Sequence, residues 1–505
     1  MDKTIETAIA DDNTAYDFVF ENKPKAGASK NIYKSPQGEY VIGIYKKPQD
    51  VEDLKRLRSI TDTYRKRLLS NVGGDYWKEV FCWPEKIVHW RGQTGILLPH
   101  FKSHFFFQED RHLKGQEKVG KWFTSAKNLQ RIDPAERGDF QSYLKVSLKL
   151  AQAIRRLHMA GLAHSDLSYR NVLIDPRGGN ACVIDLDTLV VEEKYPAEVF
   201  GTKDFIAPEV LCDKKHKTMP SRATDRHALA VLIYMYLLHR HPLRGGHFFG
   251  AEVDSEEEEF RQLGSQPLYI EHPTDHANRN MKREYGIEYD RWLPWVDLDN
   301  FSAAKIAGPY LSPLFETAFV DGLSKPVRRP DGGTWELALV RTSDHLLKCS
   351  NPVCQWKFFV YDGSAEPVCP FCGTKISGTF PVLHFSSRKK GGTQMLPENN
   401  ELVVYNNLGL FHWHVFRDVL PNEKIKPGDE APRGYFLFHC GAWYFVNILL
   451  PSAFEILPDG SKGQQIKPAQ NGAARGGFIK LKHGSRILLS TEEGGRLAEV
   501  EMVGK

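Results

Sequence analysis

Acidic and amide side chains with a spacing suited to chemistry occur in two short segments of this 505-residue chain. Residues 164–171 carry Asp166 and, five positions later, Asn171; Asp185 follows fourteen residues after Asn171. A carboxylate orients a hydroxyl group by accepting its hydrogen bond, and carboxylate and amide oxygens suit magnesium. A single Asp in a loop is usually a solvated surface acid. The interpretation therefore depends on the segments that accompany this set.

Three later features follow in a fixed order. Residues 201–209 read G-T-K-D-F-I-A-P-E, Asp225 stands near the start of an apolar helical pattern, and Arg329 comes later. With the first two segments, they resemble the catalytic loop, metal loop, substrate platform and structural ion pair of the protein kinase family. The resemblance implies that Asp225 caps a buried central helix and that Arg329 pairs with Glu209. Small-molecule kinases share the first spacing but lack the platform, which favours a protein substrate.

The resemblance also implies roles for the acids. Phosphoryl transfer needs little covalent help from the protein, so the site must orient a hydroxyl and neutralise phosphate charge with magnesium. Asp166 is then the orienting carboxylate, and Asn171 and Asp185 are the magnesium ligands. Asp187 stands where kinases usually have Gly. It is either a second magnesium ligand or a solvated acid.

Residues that bind ATP are expected in the first hundred positions. Residues 26–33 keep one glycine, Gly27, of the three in the family's phosphate-covering loop, and Ser29 is small enough for close backbone approach. Residues 95–101 resemble the strand that leads into the hinge, where Leu98 would lie beside the adenine.

The phosphate-binding lysine and its acidic partner are also expected there. Residues 43–46 resemble the family's strand that ends in this lysine, which makes Lys46 the candidate. Its carboxylate partner is expected to be Glu52 or Asp62, in the following helical segment.

Four of the eight cysteines have metal-ligand spacing. Cys349 and Cys354 form one pair, Cys369 and Cys372 form the other, and fourteen residues separate the pairs. Four thiolates close a tetrahedral zinc site with no open position, and a segment this small needs the metal to fold. A redox Cys-x-x-Cys leaves the first pair unexplained. The spacing therefore predicts a structural zinc, and the other four cysteines are expected in the core: Cys82, Cys182, Cys212 and Cys440.

Hydrophobic periodicity indicates the elements that position these residues. Residues 30–47 read as a hairpin around the turn 35–38, and residues 51–69 read as a helix. Apolar residues recur at helical spacing over 144–157, and 224–238 is apolar nearly all round, as in a central helix. From about residue 379 the chain has short β-rich runs.

These patterns predict an α+β chain with a bilobal protein-kinase-like fold, followed by a zinc ribbon and an all-β domain. The boundaries are 1–101 for the N-lobe, 102–345 for the C-lobe, 346–378 for the ribbon and 379–505 for a small β-sandwich. The last domain is loosely similar to forkhead-associated sandwiches but lacks that family's phosphothreonine ligands. It is therefore expected to dock other proteins.

Composition excludes several classes. A net charge of +4 gives no global field for nucleic acid or membrane surfaces. The N-terminus lacks an apolar signal region, and the longest apolar run, 228–238, is about half of a membrane span. Few cysteines outside the metal set indicate a reducing compartment. The protein is expected to be cytoplasmic.

The whole chain resembles bacterial kinases encoded beside a PP2C-type phosphatase and a von Willebrand factor A protein, the triads associated with tellurite resistance. Three short sequence segments are the basis of this resemblance: residues 81–84, 269–275 and 318–323. It implies those two proteins as partners. The predicted function is ATP- and magnesium-dependent phosphorylation of protein Ser or Thr; the alternative is a pseudokinase scaffold that binds nucleotide or partners without transfer.

Overall fold

The computed structural model describes residues 4–504 except 22–23, 28, 71–72, 198–199, 214, 216, 248–255, 389–391, 393 and 470–475. The chain forms two compact units. The first contains residues 1–138, 145–298 and 314–336, and the second contains 139–144, 299–313 and 337–505. The four segment boundaries expected from the sequence do not coincide with these units and stay predictions.

An antiparallel sheet of seven strands occupies the first hundred residues. The strands are β1 Thr4–Ala10, β2 Ala15–Phe20, β3 Lys25–Ala26, β4 Lys30–Lys34, β5 Tyr40–Tyr45, β6 Lys86–Trp90 and β7 Gln93–Pro99. Their order in the sheet is β2-β1-β6-β7-β5-β4-β3. The hairpin predicted around residues 35–38 is confirmed as β4 and β5, with Gly38 at a φ of 75° in the turn.

The two faces of this sheet bury different side chains. On β5, Ile42 and Ile44 pack into a cluster with aromatic residues of β2 and β6. Tyr45, one position further, belongs to the opposite cluster with Leu57 of the following helix and Ile96 of β7. Successive residues of a strand point to opposite faces, which is why one position decides the environment. The helical segment comprises Val51–Arg58, Ser59–Tyr64 and Arg65–Leu69.

Helices dominate residues 120–344. The predicted amphipathic helix is present as Phe140–Met159, and the predicted central helix is present as Arg222–Leu238, buried at every position from 227 to 238. Two short strand pairs lie between them: Leu162–Ala163 with Val190–Val191, and Val172–Asp175 with Asn180–Val183. The remaining α-helices are Gly74–Val80, Ala126–Leu129, Pro208–Cys212, Glu256–Phe260, Met281–Tyr285, Ala303–Glu316, Gly322–Ser324 and Gly332–Asp344.

The C-terminal part of the second unit is mostly β-structure, as the sequence predicts. A two-stranded pair, Leu346–Lys348 with Phe358–Val360, precedes two antiparallel sheets. The six-stranded sheet has the order Met395–Val403, Phe380–Arg388, Arg496–Val503, Arg486–Leu488, Phe454–Ile456 and Lys462–Gln465. The four-stranded sheet has the order Gly409–Leu410, Gly434–His439, Ala442–Asn447 and Phe478–Leu481. One short helix, His412–Val415, follows the first strand of that sheet.

The cysteines outside the metal set divide into two groups. Cys82 and Cys182 lie in one buried apolar cluster, as predicted. The prediction is wrong for Cys212 and Cys440, which are exposed. Cys212 is the last residue of a five-residue helix, and Cys440 lies in the tight turn between two strands at a φ of 47°.

Candidate functional site

The carboxylate of Asp166 is held by hydrogen bonds at both of its oxygens. Asn171 donates its side-chain amide to Asp166 Oδ2 at 2.9 Å, and the backbone N–H of Thr202 donates to Oδ1 at 2.7 Å. Asn171 also donates to the Asp166 carbonyl at 2.8 Å. One lone pair on each carboxylate oxygen remains for a hydroxyl group. The motif thus brings the first acid, the amide and the 201–209 segment together.

Asp185 is tied to the same loop through the backbone. The N–H of Ile184 donates to the carbonyl of Asn171 at 2.9 Å, and His164 Nε2 lies 2.9 Å from the carbonyl of Ile184. Asp185 has a left-handed backbone conformation, with φ 63° and ψ 44°. Its side chain is 37% exposed. The Nδ2 of Asn171 is used on Asp166, which leaves its amide oxygen, so Asn171 and Asp185 are two residues that could hold magnesium, a metal that prefers oxygen ligands.

The lysine beside these acids is Lys30. Its Nζ lies 2.9 Å from Asp185 Oδ1, and 2.7 and 2.6 Å from the two carboxylate oxygens of Asp187. Lys30 is only 6% exposed. Burial alone would lower the pKa of this ammonium, but the charges of Asp187 and Asp185 raise it above the usual lysine value. Lys30 is therefore a buried cation held between two carboxylates.

The structure does not bring Lys46 to this site. Lys46 is exposed, and its Nζ donates to the Gly27 carbonyl at 2.6 Å. The register explains the difference, because Lys30 on β4 lies directly opposite Tyr45 on β5 and shares its face. Lys46 is the next residue after Tyr45, so its side chain leaves the backbone on the opposite face of the sheet. Lys30 and Tyr45 are the site residues that sequence reasoning missed. The pairing of the predicted hairpin places them opposite each other, and the burial of Asp187 is needed to identify them as site residues.

Neither expected helix carboxylate contacts Lys30. Glu52 pairs with Lys55 at 2.7 Å, and Asp62 pairs with Lys66 at 2.6 Å, in both cases with side chains more than half exposed. The helix Val51–Arg58 buries Arg56 and Leu57 instead of an acid.

Asp187 is the most deeply buried acid of the site. Its residue exposure is 2%, which excludes the solvated-acid alternative. The Tyr45 hydroxyl donates to Asp187 Oδ2 at 2.5 Å. Burial would raise the pKa of this carboxyl, but Lys30 and the Tyr45 hydrogen bond keep it below its usual value. Burial and the adjacent carboxylate raise the pKa of the Tyr45 phenol well above its usual value, so Tyr45 is a hydrogen-bond donor here.

The residues expected to surround ATP are Gly27 and Ser29, which adjoin Lys30, and Leu98 on β7. The Gly27 N–H donates to the Lys30 carbonyl at 2.9 Å, and the Ser29 carbonyl accepts from the Lys46 N–H, so Gly27 and Ser29 form the turn between β3 and β4. Leu98 on β7 packs against a buried cluster that includes Leu173, two residues after Asn171. Leu98 is therefore part of an apolar cluster that also contains a residue close in sequence to Asn171.

The platform segment has the structural ion pair that the resemblance implies. Arg329 donates to both oxygens of Glu209 at 2.7 Å, and its side chain is fully buried. Asp225 departs from the expected role, because Ser221 caps the helix Arg222–Leu238 together with Thr224. Asp225 lies inside the first turn and accepts from the backbone N–H of His164 at 2.8 Å. It therefore fixes the catalytic loop.

The four cysteines of the predicted metal set come together. Their Sγ atoms all lie within 4.8 Å of one another, and Cys349 Sγ is 3.5 Å from Cys372 Sγ. Zinc–thiolate bonds of about 2.3 Å give tetrahedral sulfur–sulfur distances of about 3.8 Å, so the set fits zinc. Burial opposes ionisation of Cys372, but hydrogen bonds from Thr374 and the neighbouring thiols lower its pKa to about 6. Within the described residues, this is the cluster that could hold a metal through cysteine.

The central segment of the chain is similar to known protein kinases. The protein kinase domain family matches residues 125–284, which include Asp166, Asn171 and Asp185. The chain is 33% identical over 123 residues to a "Protein kinase C-like" protein of Cochliobolus heterostrophus, covering 24% of this chain and 10% of that protein. It is 29% identical over 132 residues to serine/threonine-protein kinase PkaB of Streptomyces coelicolor, covering 23% of this chain and 30% of that protein.

The first curated relatives are much longer than the segment they share with this chain. The chain spans about a tenth of their length, including 8% of serine/threonine-protein kinase PSK2 of Saccharomyces cerevisiae, to which it is 34% identical over 95 residues. The family match begins after Lys30 and Tyr45, so the description of those two residues rests on the structure. Across the described residues, every helix is too short or too polar to span a membrane.

Proposed function

We propose that this chain, which contains a protein kinase domain, transfers the γ-phosphoryl group of ATP to a Ser or Thr hydroxyl of a protein substrate. One observation carries the proposal. Asp166, Asn171 and Asp185 are joined by a short chain of hydrogen bonds, and a buried lysine contacts Asp185. Orienting carboxylate, metal ligands and phosphate-binding cation are the parts that phosphoryl transfer requires.

In this proposal Asp166 accepts the substrate hydroxyl in a hydrogen bond and then receives its proton. The amide of Asn171 and the N–H of Thr202 hold the carboxylate so that it needs no reorganisation. Asn171 and Asp185 would hold magnesium, which offsets the charge of the phosphate oxygens when bound. The presence of residues 201–209, a segment that small-molecule kinases lack, supports a protein substrate, and Thr202 of this segment contacts Asp166 directly.

Lys30 is the residue proposed to bind the phosphates, the role that the sequence pattern predicts for Lys46. Its ammonium lies within 2.9 Å of the proposed metal ligand Asp185, whereas Lys46 is exposed. In this position the Lys30 ammonium can replace its contact with one carboxylate oxygen by a contact with a phosphate oxygen of ATP. Gly27, Ser29 and Leu98 are proposed to border the nucleotide.

The test compares wild-type protein with Asp166→Asn, using labelled ATP, magnesium and a generic protein substrate. A general base in this position contributes about 10²–10⁴-fold, so the variant is expected to lose at least a hundredfold in rate. Phosphate should appear on Ser or Thr. Nucleotide binding without any transfer by the wild-type protein would instead support the scaffold alternative, which the single remaining loop glycine favours.

The finer proposals concern the rest of the chain. The four-cysteine cluster is proposed to bind one structural zinc, as a zinc ribbon, and the following sheets to form a forkhead-associated-like docking domain. The sequence resemblance supports a bacterial, cytoplasmic kinase of the tellurite-resistance triads, with a PP2C-type phosphatase and a von Willebrand factor A protein as partners. Copurification of those two proteins with the tagged chain tests the partners.

A further inference from the structure

We propose that Asp187 and Tyr45 are positioning residues of this site: Asp187 is the resident counterion of Lys30, and Tyr45 fixes that carboxylate. The inference rests on the proposed function and deepens it, because it states what holds the phosphate-binding lysine. It assigns to the metal loop a task that neither expected acid of the helical segment performs, because Glu52 pairs with Lys55 and Asp62 pairs with Lys66.

Lys30 contacts its two acidic partners, Asp187 and Asp185, in different ways. Asp187 receives the ammonium on both oxygens, at 2.7 and 2.6 Å, whereas Asp185 receives it on one oxygen at 2.9 Å. The Asp187 side chain is 1% exposed, and that of Asp185 is 37% exposed. A fully desolvated pair is stable only when its remaining lone pairs are satisfied. Asp187 is therefore the fixed partner, and Asp185 has the solvent-facing side from which a metal can approach.

Tyr45 supplies a further hydrogen bond to the buried carboxylate of Asp187. Its hydroxyl donates to Asp187 Oδ2 at 2.5 Å, and its ring centroid lies 5.5 Å from Lys30 Nζ. The strand position of Tyr45, opposite Lys30, lets one side chain contact both members of the ion pair. A lysine at position 45 would leave Asp187 between two cations, so the tyrosine is matched to a lysine on the neighbouring strand.

The arrangement has a mechanical consequence. Asp187 and Asp185 belong to one short turn, since the helical turn Leu186–Thr188 begins directly after Asp185. The ion pairs of Lys30 thereby link it to the metal loop. Glu52 and Asp62 pair with Lys55 and Lys66 instead, so both acids should be dispensable for nucleotide binding.

The experiment measures ATP affinity by calorimetry, with magnesium and with EDTA, for wild-type protein, Asp187→Asn and Tyr45→Phe. Charged hydrogen bonds of this kind correspond to about tenfold or more in affinity. Asp187→Asn is expected to weaken binding at least tenfold in both buffers, because it acts through Lys30, and Tyr45→Phe is expected to weaken it less. Glu52→Gln and Asp62→Asn are the matched controls, and their affinities should equal that of the wild type.

Folding and the rival role of Asp187 are tested with the same proteins. Lys30→Met leaves a buried carboxylate unpaired, so Lys30→Met/Asp187→Asn should have a higher Tm than Lys30→Met, while both bind ATP weakly. A loss of affinity confined to the magnesium buffer would make Asp187 a metal ligand and overturn the proposal. Wild-type affinity in Asp187→Asn would also overturn it. Failure of wild-type protein to bind ATP would instead refute the proposed function.

Discussion

Replacing Arg329 with Met is expected to destabilise the region around the helix Arg222–Leu238. The guanidinium is completely buried and makes two 2.7 Å bonds to Glu209. It also donates to the carbonyls of Gly322, at 2.7 Å, and Ala223, at 3.0 Å. Methionine fills a similar volume but leaves a carboxylate and two carbonyl oxygens without these donors.

The size of the effect follows from burial. Removing one partner of a buried pair costs about 3–5 kcal/mol. The Glu209 side chain is 25% exposed, so it regains some hydration and the lower end applies. A loss of about 3 kcal/mol corresponds to roughly a hundredfold more frequent opening of the affected segment. Adding Glu209→Gln to Arg329→Met should recover part of the loss, because it removes the unpaired charge.

Hydrogen exchange of peptides covering residues 222–238 measures this opening directly. Arg328→Met is the matched control, because Arg328 Nη1 lies 3.5 Å from Asp321 and both side chains are more than half exposed. Such a surface pair contributes less than about 1 kcal/mol. Equal exchange in the two variants would refute the reasoning that the Arg329 ion pair stabilises this region.

Three further predictions concern the metal sites and pH. Asp185→Ala should abolish magnesium-dependent transfer with unchanged exchange of residues 222–238, and wild-type turnover would contradict the magnesium assignment. Metal analysis should find about one zinc per chain, and Cys369→Ser should speed exchange in residues 349–373; protein without zinc would contradict the cluster assignment. His239, whose pKa burial lowers to about 3, stays neutral when the unfolded state, with a pKa of about 6.5, takes up a proton. Stability should therefore fall by about 2 kcal/mol between pH 7 and 5, and His239→Asn, which keeps a donor for the Phe123 carbonyl, should reduce this slope.

The acidic part of the site could be predicted from the sequence because its members are close along the chain. Asp166 and Asn171 share one loop, and a single strand pair separates them from Asp185. Local backbone bonds then bring the three together with little dependence on distant packing. The Glu209–Arg329 pair was also expected, although its members are far apart, because the resemblance to protein kinases implies it.

Lys30 could not be assigned as the lysine of the site from a sequence motif, because the strand register decides which side chains lie on the face of the sheet toward Asp187. Tyr45 and Lys46 are neighbours in sequence but start from opposite faces of the sheet. The register of β4 with β5 selects Lys30, and that register becomes informative only when Asp187 is known to be buried. The cap of the central helix was misassigned because Ser221, four residues before Asp225, is the N-cap residue and forms the cap together with Thr224.

The most direct test of the account is the ratio of phosphoryl-transfer rates in Lys30→Met and Lys46→Met, measured on one protein substrate at saturating magnesium. The account predicts that Lys46→Met transfers phosphate at close to the wild-type rate, because the Lys46 side chain is exposed and contacts the Gly27 carbonyl. Lys30→Met should lose about a hundredfold or more, as expected when a charge-stabilising donor is removed. The reverse order of the two variants, or equal rates, would contradict it.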